Sequence, residues 1–574
     1  MFDFADLPES MEERALKIFD DRLAVRGAVP APGCSFKVIR NSACEKDEFR
    51  ISGLPGQKEL LLDCGGSTGF LYAVGKILRT GSFADGLFTP GSWRGICRPA
   101  KKVRCVYWAS HFFNVYQVAP LDELVHYLED LALLGFNYLG LVCDIHVMDE
   151  DSPEYFQGLE KNKQLWLAGE KLGMKAVDLI DNNGFRNTPE HLRAVPTKRS
   201  FFGTELCPSN PEALEYLLKL LSARYEYLKE VDFGMVTLWS YDQGGCGCQA
   251  CAPYGANGMM KWGSPIARII KEKWPECQII CSTWLMDWEG VPMIHEFENL
   301  YKKINGGRAD HIDILLADSH DEFPRYVLTH PLPGKTRLIT FPEISMFGRS
   351  PWGGFGATPL PKRFSALWGE TAGSADGGML YSEGTFEDFN KALYAQFFVS
   401  GTNDVSTVIR EYFRYETGLP ESADPDMERF LEILEENHEG LQWWPGKPAY
   451  GLYEPMKSKI AWRQTGKTWK NLDEELALAR KIDAVLPEWG RKSWRWRLFY
   501  LRAVIDFEIG THDNEATAVT EEALKELCRI YHTDLQTATR RVAPFTDEYL
   551  ELHREEYANI NIHGAVAGKN LGVI

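Results

Sequence analysis

The sequence of 574 residues predicts an α/β protein built around a (β/α)₈ TIM barrel, with a small α/β domain before the barrel and a helical region after it. Three observations support this fold class. Eight apolar, β-branched or aromatic runs lie between residues 103 and 383, helical patterns separate most of them, and every run ends in polar residues. Continuous apolar strands that alternate with helices are typical of a parallel sheet, and eight such units are typical of a closed barrel.

The eight predicted strands follow one another along the chain. They lie in the segments VRCVYWASHF, NYLGLVCDIHVM, MKAVDLIDNN, FGMVTLWSYD, CQIICSTWLMD, HIDILLADSHD, TRLITFPEIS and GGMLYSEG. Connecting segments such as PLDELVHYLEDLALLG repeat apolar residues every three or four positions, which is the spacing of an amphipathic helix. We therefore expect the barrel to occupy residues 101–402.

The regions on either side of the barrel have different patterns. Residues 1–100 contain the strand-like runs FKVIR and EFRISG, followed by a strand, a glycine turn and a helix in LLLDCGGSTGFLYAVGKIL. Residues 403–574 contain helical patterns such as WRWRLFYLRAVIDFEIG and little strand signal. The sequence thus predicts three domains, a small α/β domain over 1–100, the catalytic barrel, and an α-helical domain over 403–574.

The charge and the cysteines narrow the choice of partner and location. The formal charge of −18 disfavours nucleic acid and anionic membranes as partners, because both attract a basic face. The sequence contains no run of eighteen apolar residues, so no membrane span is predicted. The N-terminus has no basic segment followed by an apolar one, and a cytoplasmic location is therefore expected. Thirteen scattered cysteines indicate reduced thiols rather than a disulfide framework. A homodimer is left open.

Polar side chains follow all eight predicted strands, at the end of the barrel where such enzymes keep their active sites. Any one of them could be structural, but eight together predict a polar pocket. As substrate-binding residues the sequence indicates His111, Asn114, Asp144, His146, Asn182, Trp239, Tyr241, Trp284, Asp287 and His320. As catalytic carboxylates it indicates Asp242, Asp318, Glu343 and Glu383.

A pocket that combines carboxylates with tryptophan and tyrosine suits a carbohydrate. Hydroxyl groups bind Asp, Asn and His side chains, apolar sugar faces stack on aromatic rings, and two carboxylates can hydrolyse a glycosidic bond. Two other functions stay open. One is a non-catalytic carbohydrate-binding barrel. The other is a metal-dependent hydrolase with Asp144, His146, Asp318 and His320 as ligands, although no HxH or HExxH pair is present.

The order of domains and three local segments resemble the bacterial α-glucuronidases and, less fully, the β-N-acetylhexosaminidases. SYDQGG, after the fourth strand, resembles the glucuronidase segment that carries the general acid, with Asp242 in place of a glutamate. LADSHDEF and FPEISMFG resemble the segments that carry its two candidate general bases, which implies Asp318 and Glu343. The resemblance implies a glycoside hydrolase whose chemistry requires no cofactor.

Departures from these families leave the sugar open. A uronide needs a facing cation, and the candidates Arg325, Arg349 and Arg363 form no cluster in the sequence. Hexosaminidases carry an Asp-Glu pair after the fourth strand, whereas this chain has Asp242-Gln243, and glutamine cannot donate the proton. The segment DQGGCGCQAC also resembles a poorly characterised group of bacterial barrel proteins, some of which are endo-β-N-acetylglucosaminidases. We expect an exo-acting glycosidase on short oligosaccharides, either uronides or N-acetylhexosaminides.

The carboxylates are assigned separate roles. We expect Asp242 to be the general acid, because packing against Trp239 and Tyr241 would desolvate it and raise its pKa. Glu343 is expected to be the base, with Asp318 sharing or positioning the attacking water and Glu383 in reserve. The fourth and seventh strands lie across the barrel mouth from each other, and a wide gap between acid and base favours inversion of configuration.

Three cysteines follow Asp242 with the spacing C-x-C-x₂-C. Cys246, Cys248 and Cys251, joined by Cys207 from the preceding loop, would make a four-thiolate zinc site that braces the loop bearing Asp242. The alternative is a glycine-rich loop with unligated thiols, since the usual pair of C-x₂-C motifs is absent.

Overall fold

The protein is described here by a computed structural model. The described residues are 2–5, 9–53, 59–111, 115–143, 145–146, 148–197, 203–239, 245–287, 295–319, 323–345, 357–438, 469–512 and 517–530. Their strands are β1 (Phe2–Ala5), β2 (Val29–Pro30), β3 (Ser35–Arg40), β4 (Phe49–Ser52), β5 (Glu59–Cys64), β6 (Ser82–Ala84), β7 (Leu87–Thr89), β8 (Gly95–Cys97), β9 (Val103–Trp108), β10 (Tyr138–Val142), β11 (Lys175–Ile180), β12 (Phe233–Leu238), β13 (Gln278–Ser282), β14 (Ile314–Asp318), β15 (Arg337–Phe341) and β16 (Gly377–Ser382).

Helices fill most of the connections. They are α1 (Glu9–Val25), α2 (Ser67–Thr80), α3 (Val115–Val118), α4 (Leu121–Leu134), α5 (Pro153–Glu170), α6 (Pro211–Tyr227), α7 (Met259–Lys273), α8 (Glu296–Asn305), α9 (Arg325–Thr329), α10 (Pro361–Thr371), α11 (Asp388–Ser400), α12 (Val405–Thr417), α13 (Asp424–His438), α14 (Leu472–Val485), α15 (Glu488–Lys492), α16 (Trp494–Thr511) and α17 (Ala518–Ile530).

Strands β9 to β16 form a closed barrel in which every pair is parallel and β16 pairs back to β9. The predicted (β/α)₈ barrel is thereby confirmed, and each of the eight predicted strand segments contains one of these strands. The strands are apolar along their whole length because both of their faces are buried. In β9 and β12 every residue is buried.

The pairing around the barrel is uneven. Strands β16 and β9 pair over six positions, from Gly377↔Val103 to Ser382↔Trp108. Gly377 has φ +136°, and a Cβ there would lie 1.8 Å from the carbonyl oxygen of Val103, so this closing pair requires glycine. By contrast, β15 and β16 pair in the ladder at Thr340↔Gly378 alone, with one isolated bridge beyond the strand end.

The N-terminal region contains two small sheets. The larger has the strand order β1-β3-β5-β4-β8, and the smaller has the order β2-β7-β6. The predicted strands FKVIR and EFRISG correspond to β3 and β4, and the predicted strand–glycine–helix unit corresponds to β5 and α2. The turn of that unit packs closely against the loop before β4, because a Cβ on Gly65 would lie 1.6 Å from the carbonyl oxygen of Glu45.

A buried ionic network joins the N-terminal helix, the barrel and the C-terminal helices. Arg495 of α16 donates to Asp388 of α11 at 2.7 Å and to Asp130 of α4 at 2.9 Å, and its third nitrogen lies 3.3 Å from Glu416 of α12. Arg22 of α1 binds the second oxygen of Asp130 at 2.7 Å. The arginines lower the pKa of Asp130 even though its burial acts in the opposite direction. Five helices from separate parts of the chain thus share one cluster of charges.

None of the described helices combines the length and the apolarity that crossing a bilayer requires.

Replacement of Arg495 by methionine should destabilise the protein strongly. The change leaves buried carboxylates without a cation, and such a loss costs about 3–5 kcal/mol. Urea denaturation gives the free energy of unfolding. The matched control is Arg429→Met, because Arg429 forms its ion pairs with Glu474 and Glu432 at the surface. That change should cost about 1 kcal/mol or less. Equal losses for the two variants would show that the network does not hold the helices together.

Candidate active site

The C-terminal ends of the eight strands carry most of the predicted site residues. Those that the structure describes are His111, His146, Asn182, Trp239, Trp284, Asp287, Asp318, Glu343 and Glu383. Asn114, Asp144, Tyr241, Asp242 and His320 lie outside the described residues. Their assignments, including Asp242 as general acid, stay predictions.

A layer of five aromatic rings closes the top of the barrel core. Phe341 is at its centre, with ring centroids 5.0 Å from Trp239, 5.9 Å from Trp284 and 5.9 Å from Tyr381. Tyr107 completes the layer, 5.3 Å from Tyr381 and 6.5 Å from Phe341. The rings come from five strands or strand ends and pack on the apolar residues that fill the barrel. They form a floor in which Tyr107, Trp239 and Phe341 are buried, while Trp284 and Tyr381 are partly exposed and can stack on an apolar face of a ligand.

Three carboxylates stand above this floor on neighbouring strands. Side chains alternate between the two faces of a strand, so Glu343 faces inward like Phe341, and Glu383 faces inward like Tyr381. Asp318 lies two residues after Leu316, which packs in the barrel core, and so it faces inward as well. Glu343 is 5% exposed and Glu383 is 1% exposed, whereas Asp318 is half-buried. The carboxylates predicted for the sixth, seventh and eighth strands therefore share one end of the barrel.

Packed neighbours hold two of these carboxylates. The hydroxyl of Ser345 donates to Oε1 of Glu343. The hydroxyl of Tyr381 donates to Oε1 of Glu383 at 2.7 Å, while the backbone carbonyl of Tyr381 accepts from the N–H of Ile344 at 3.2 Å. Tyr381 thus fixes the Glu383 side chain and the backbone next to Glu343, which limits the movement of both acids.

A small cavity of about 30 Å³ lies beside the floor, between the ends of β9, β10, β11 and β12. The polar side chains that line it are His111, His146, Asp181 and Asn183, and Trp239 and Tyr107 line it as well. Among its described lining residues there is no Lys or Arg. The structure therefore brings the predicted His111, His146 and Trp239 together in a cavity without a described cation.

Both histidines in the cavity are neutral near pH 7. Burial lowers the pKa of His111 to about 3 and that of His146 to about 3, and the proximity of His111 lowers the pKa of His146 further. The His111 ring stacks near Tyr107, with centroids 6.4 Å apart. A neutral imidazole both donates and accepts a hydrogen bond, which suits a hydroxyl group.

At the end of β11, the residues that line the cavity are not the one that the sequence predicts to bind substrate. Asn182 donates to the carbonyl of Leu206 at 2.5 Å, and it is not among the residues that line the cavity. Asp181 and Asn183 line the cavity instead, and the amide of Asn183 donates to Asp181 at 2.8 Å. The two-residue alternation of the strand is the signal that would have selected Asp181 and Asn183.

Asp287 has a local structural contact. Its two carboxylate oxygens accept the backbone N–H groups of Glu296 at 2.7 Å and Phe297 at 3.0 Å, so the side chain caps the start of α8. Trp284, three residues earlier, packs in the aromatic floor. A role of Asp287 in binding substrate stays a prediction.

The four predicted metal ligands lie together. The sulfurs of Cys207, Cys246, Cys248 and Cys251 are all within 4.8 Å of one another. Cys207 follows β11, and the other three follow β12. Among the described residues no other group of His, Cys, Asp and Glu has comparable metal-binding geometry.

Comparison with known proteins gives matches to solved structures only. No protein-family model matches the sequence, and no curated protein matches it. A family 89 glycoside hydrolase from Clostridium perfringens, solved with its substrate GlcNAc-α-1,4-galactose, matches with a TM-score of 0.58 at 12% identity. The match covers 91% of this chain and 65% of that enzyme, so the chain spans about two thirds of its length.

Other matched structures are also glycoside hydrolases. One is a family 138 enzyme that targets pectin rhamnogalacturonan II, with a TM-score of 0.49, 11% identity, and coverage of 97% of this chain and 79% of that one. Another is a family 20 exo-β-N-acetylglucosaminidase from Vibrio harveyi, with a TM-score of 0.47, 10% identity, and coverage of 77% and 74%. The match to the clostridial family 89 enzyme, with a TM-score of 0.58, confirms the predicted resemblance to glycoside hydrolases, and at 12% identity it shows the fold alone.

The two buried histidines should make the stability depend on pH. Their folded pKa of about 3 lies below the value of about 6.5 expected in the unfolded chain, so the unfolded state binds more protons between these values. Their contribution is complete above pH 6.5 and is lost as the pH falls toward 3, by up to about 1.4 kcal/mol per pH unit for each histidine. Urea denaturation from pH 7 to 4.5 should show a smaller loss for His111→Gln or His146→Gln than for the wild type. The exposed His191 provides the control, and a His191→Gln slope as flat as these would contradict the assignment.

Proposed function

We propose that the protein is an exo-acting glycoside hydrolase that removes sugars from short oligosaccharides. The observation that carries the proposal is the set of inward-facing carboxylates, Asp318, Glu343 and Glu383, above a floor of aromatic rings at the C-terminal end of the barrel. Paired carboxylates supply the acid and base of glycosidic hydrolysis, and the floor supplies a stacking surface for the sugar.

The proposed reaction needs two proton transfers. Asp242 protonates the glycosidic oxygen as its bond to the anomeric carbon breaks. Glu343 takes a proton from the water that attacks this carbon from the opposite face, and Asp318 positions that water. Burial and the Ser345 hydroxyl keep the Glu343 carboxylate in one orientation. Glu383, held by Tyr381, is placed to bind a sugar hydroxyl or to replace Glu343 as base.

Of the two sugar classes, we favour an N-acetylhexosaminide over a uronide. A uronate carboxylate needs a cation, and none of the described strand-end residues that the sequence predicts to bind substrate is a lysine or an arginine. Arg325 begins α9, Arg363 lies in α10, and Arg349 is outside the described residues. The clostridial enzyme with the same fold acts on a substrate that contains GlcNAc, which supports the same preference.

Hydrolysis of this kind uses no metal or other cofactor. We assign the four clustered cysteines a structural role. A metal bound by all four sulfurs would have no free coordination position for a substrate. The second candidate function is a non-catalytic sugar-binding barrel. It is favoured by the shorter Asp242 at the position where glucuronidases carry a glutamate.

A panel of aryl glycosides and short oligosaccharides should separate these functions. We expect release of a terminal N-acetylhexosamine, detected as free aryl alcohol or by mass spectrometry. Turnover of uronides alone would contradict the preferred sugar class. Binding across the panel, measured by calorimetry, with no turnover of any member would favour the binding barrel.

Replacement of the proposed acids by their amides should identify the pair. Asp242→Asn and Glu343→Gln should each lower kcat by roughly 10²–10⁴-fold, which is the usual contribution of a general acid or base. Asp318→Asn should have a smaller effect if it only positions water. The control is Glu370→Gln, because Glu370 is exposed on α10. Near-normal turnover by Glu343→Gln together with a large loss of kcat in Glu383→Gln would show that the base is Glu383, after β16.

The stereochemistry can be followed by proton NMR. If acid and base are separated by about 6.5–9.5 Å, the first product should have the inverted anomeric configuration. A product that retains the configuration of the substrate would instead require either a covalent intermediate on Glu343 or attack on the anomeric carbon by the substrate's own acetamido oxygen.

A further inference from the structure

The four cysteine sulfurs join two loops at the mouth of the barrel. Cys207 belongs to the connection between β11 and α6, while Cys246, Cys248 and Cys251 belong to the connection between β12 and α7. The sulfur of Cys207 lies 3.5 Å from that of Cys246 and 3.9 Å from that of Cys248. Cys246 and Cys251 are buried, and all four cysteines are free thiols.

These separations fit a single tetrahedral metal ion. With Zn–S bonds of about 2.3 Å, two sulfurs on a tetrahedron lie about 3.8 Å apart. The two distances given above lie on either side of this value, and no pair of the four exceeds 4.8 Å. An all-sulfur tetrahedral set is typical of zinc, and four thiolates fill its coordination shell.

A hydroxyl group lies next to one of the sulfurs. The Ser209 hydroxyl lies 3.0 Å from the sulfur of Cys251. Donors aimed at sulfur stabilise a thiolate, which is the form that binds metal.

A cation offsets part of the charge that such a site would carry. Four thiolates and one divalent ion have a net charge of −2. The ammonium group of Lys261, in α7, donates to the Ser209 hydroxyl at 2.6 Å and to the backbone carbonyl of Ala250, between two of the cysteines. The contact through Ser209 places this positive charge next to Cys251.

The backbone that presents the sulfurs is closely packed. Gly245 has φ +64°, and a Cβ there would lie 2.4 Å from the ring of Tyr254. Tyr254 is fully buried and accepts a hydrogen bond from the indole of Trp262 at 3.0 Å. The loop therefore folds around a fixed aromatic ring, so the three cysteines it carries have defined positions.

The cluster is connected to the cavity through the backbone. The N–H of Leu206, next to Cys207, donates to the carbonyl of Asn182 at 2.7 Å, and Glu205 forms a bridge with Asn183. Asp181 and Asn183 line the cavity. On the other side, Cys246 follows Asp242 by four residues. A ligand set at these positions ties one wall of the cavity to the segment that carries the proposed acid.

We propose that Cys207, Cys246, Cys248 and Cys251 bind one zinc ion, and that this ion positions the loops after β11 and β12 relative to each other. The ion does not contact the substrate. The metal site stands on its own geometry, and only its positioning effect on catalysis rests on the proposed function.

Metal analysis tests the site without any substrate. Full-length protein purified under reducing conditions should contain about one zinc per chain. Cys207→Ser and Cys248→Ser should lose it, whereas Cys44→Ser, at a half-buried cysteine of the N-terminal region, should retain it. Cobalt added to metal-free wild type should give the visible absorption of a tetrahedral thiolate complex. Protein that contains no zinc and takes up neither zinc nor cobalt would overturn the site, as would iron in place of zinc or disulfides among the four cysteines.

A rescue experiment tests the positioning effect. Histidine is also a zinc ligand, so Cys207→His should retain zinc and most of the kcat, while Cys207→Ser should lose both. Activity is measured with a substrate identified by the glycoside panel, at a temperature where circular dichroism shows each variant folded. A zinc-free, folded Cys207→Ser protein with wild-type kcat would overturn the positioning effect. If the panel finds no substrate, the zinc and cobalt measurements still decide the metal site.

Discussion

The contact between the last and the first strand of the barrel is the constraint on which the site depends. Strand β16 reaches β9 only because Gly377 has no Cβ, since one would lie 1.8 Å from the carbonyl of Val103. The six paired positions that follow bring Tyr381 beside Tyr107 and so complete the aromatic floor. Without that closure, Glu383 and His111 would lie on opposite edges of an open sheet, because they follow the last and the first strand of the barrel.

A second constraint acts outside the barrel. Arg495 connects helices that come from the barrel and from the C-terminal region, and Arg22 adds the N-terminal helix through Asp130. Buried ion pairs contribute little net stability, because desolvation of the charges offsets most of their attraction. We expect their effect here to be on specificity, since a misplaced helix would leave a buried charge without its partner. The network therefore selects one arrangement of the helices around the barrel.

The sequence was sufficient for the order of the strands and for the end of the barrel at which polar residues gather, because both follow from local patterns of apolar residues. It did not show which of several consecutive polar residues face inward. Asn182 is the residue predicted to bind substrate, whereas Asp181 and Asn183 line the cavity. Which of the three faces inward depends on how far the alternation of the strand continues beyond its last hydrogen bond. The aromatic floor was missed in part because contacts such as Tyr107 with Tyr381 depend on barrel closure. The cap that Asp287 provides for α8 depends on a loop conformation that no local pattern specifies.

Strands β15 and β16 pair over fewer positions than any other two neighbouring strands of the barrel, at Thr340↔Gly378 and at the further bridge Glu343↔Tyr381. Backbone hydrogen bonds still tie both ends of this pair, since the N–H of Asp376 donates to the carbonyl of Leu338 at 2.8 Å and the N–H of Ile344 donates to the carbonyl of Tyr381 at 3.2 Å. The hydroxyl of the same Tyr381 holds Glu383. The spacing between the two acids is therefore set by one tyrosine rather than by a continuous ladder.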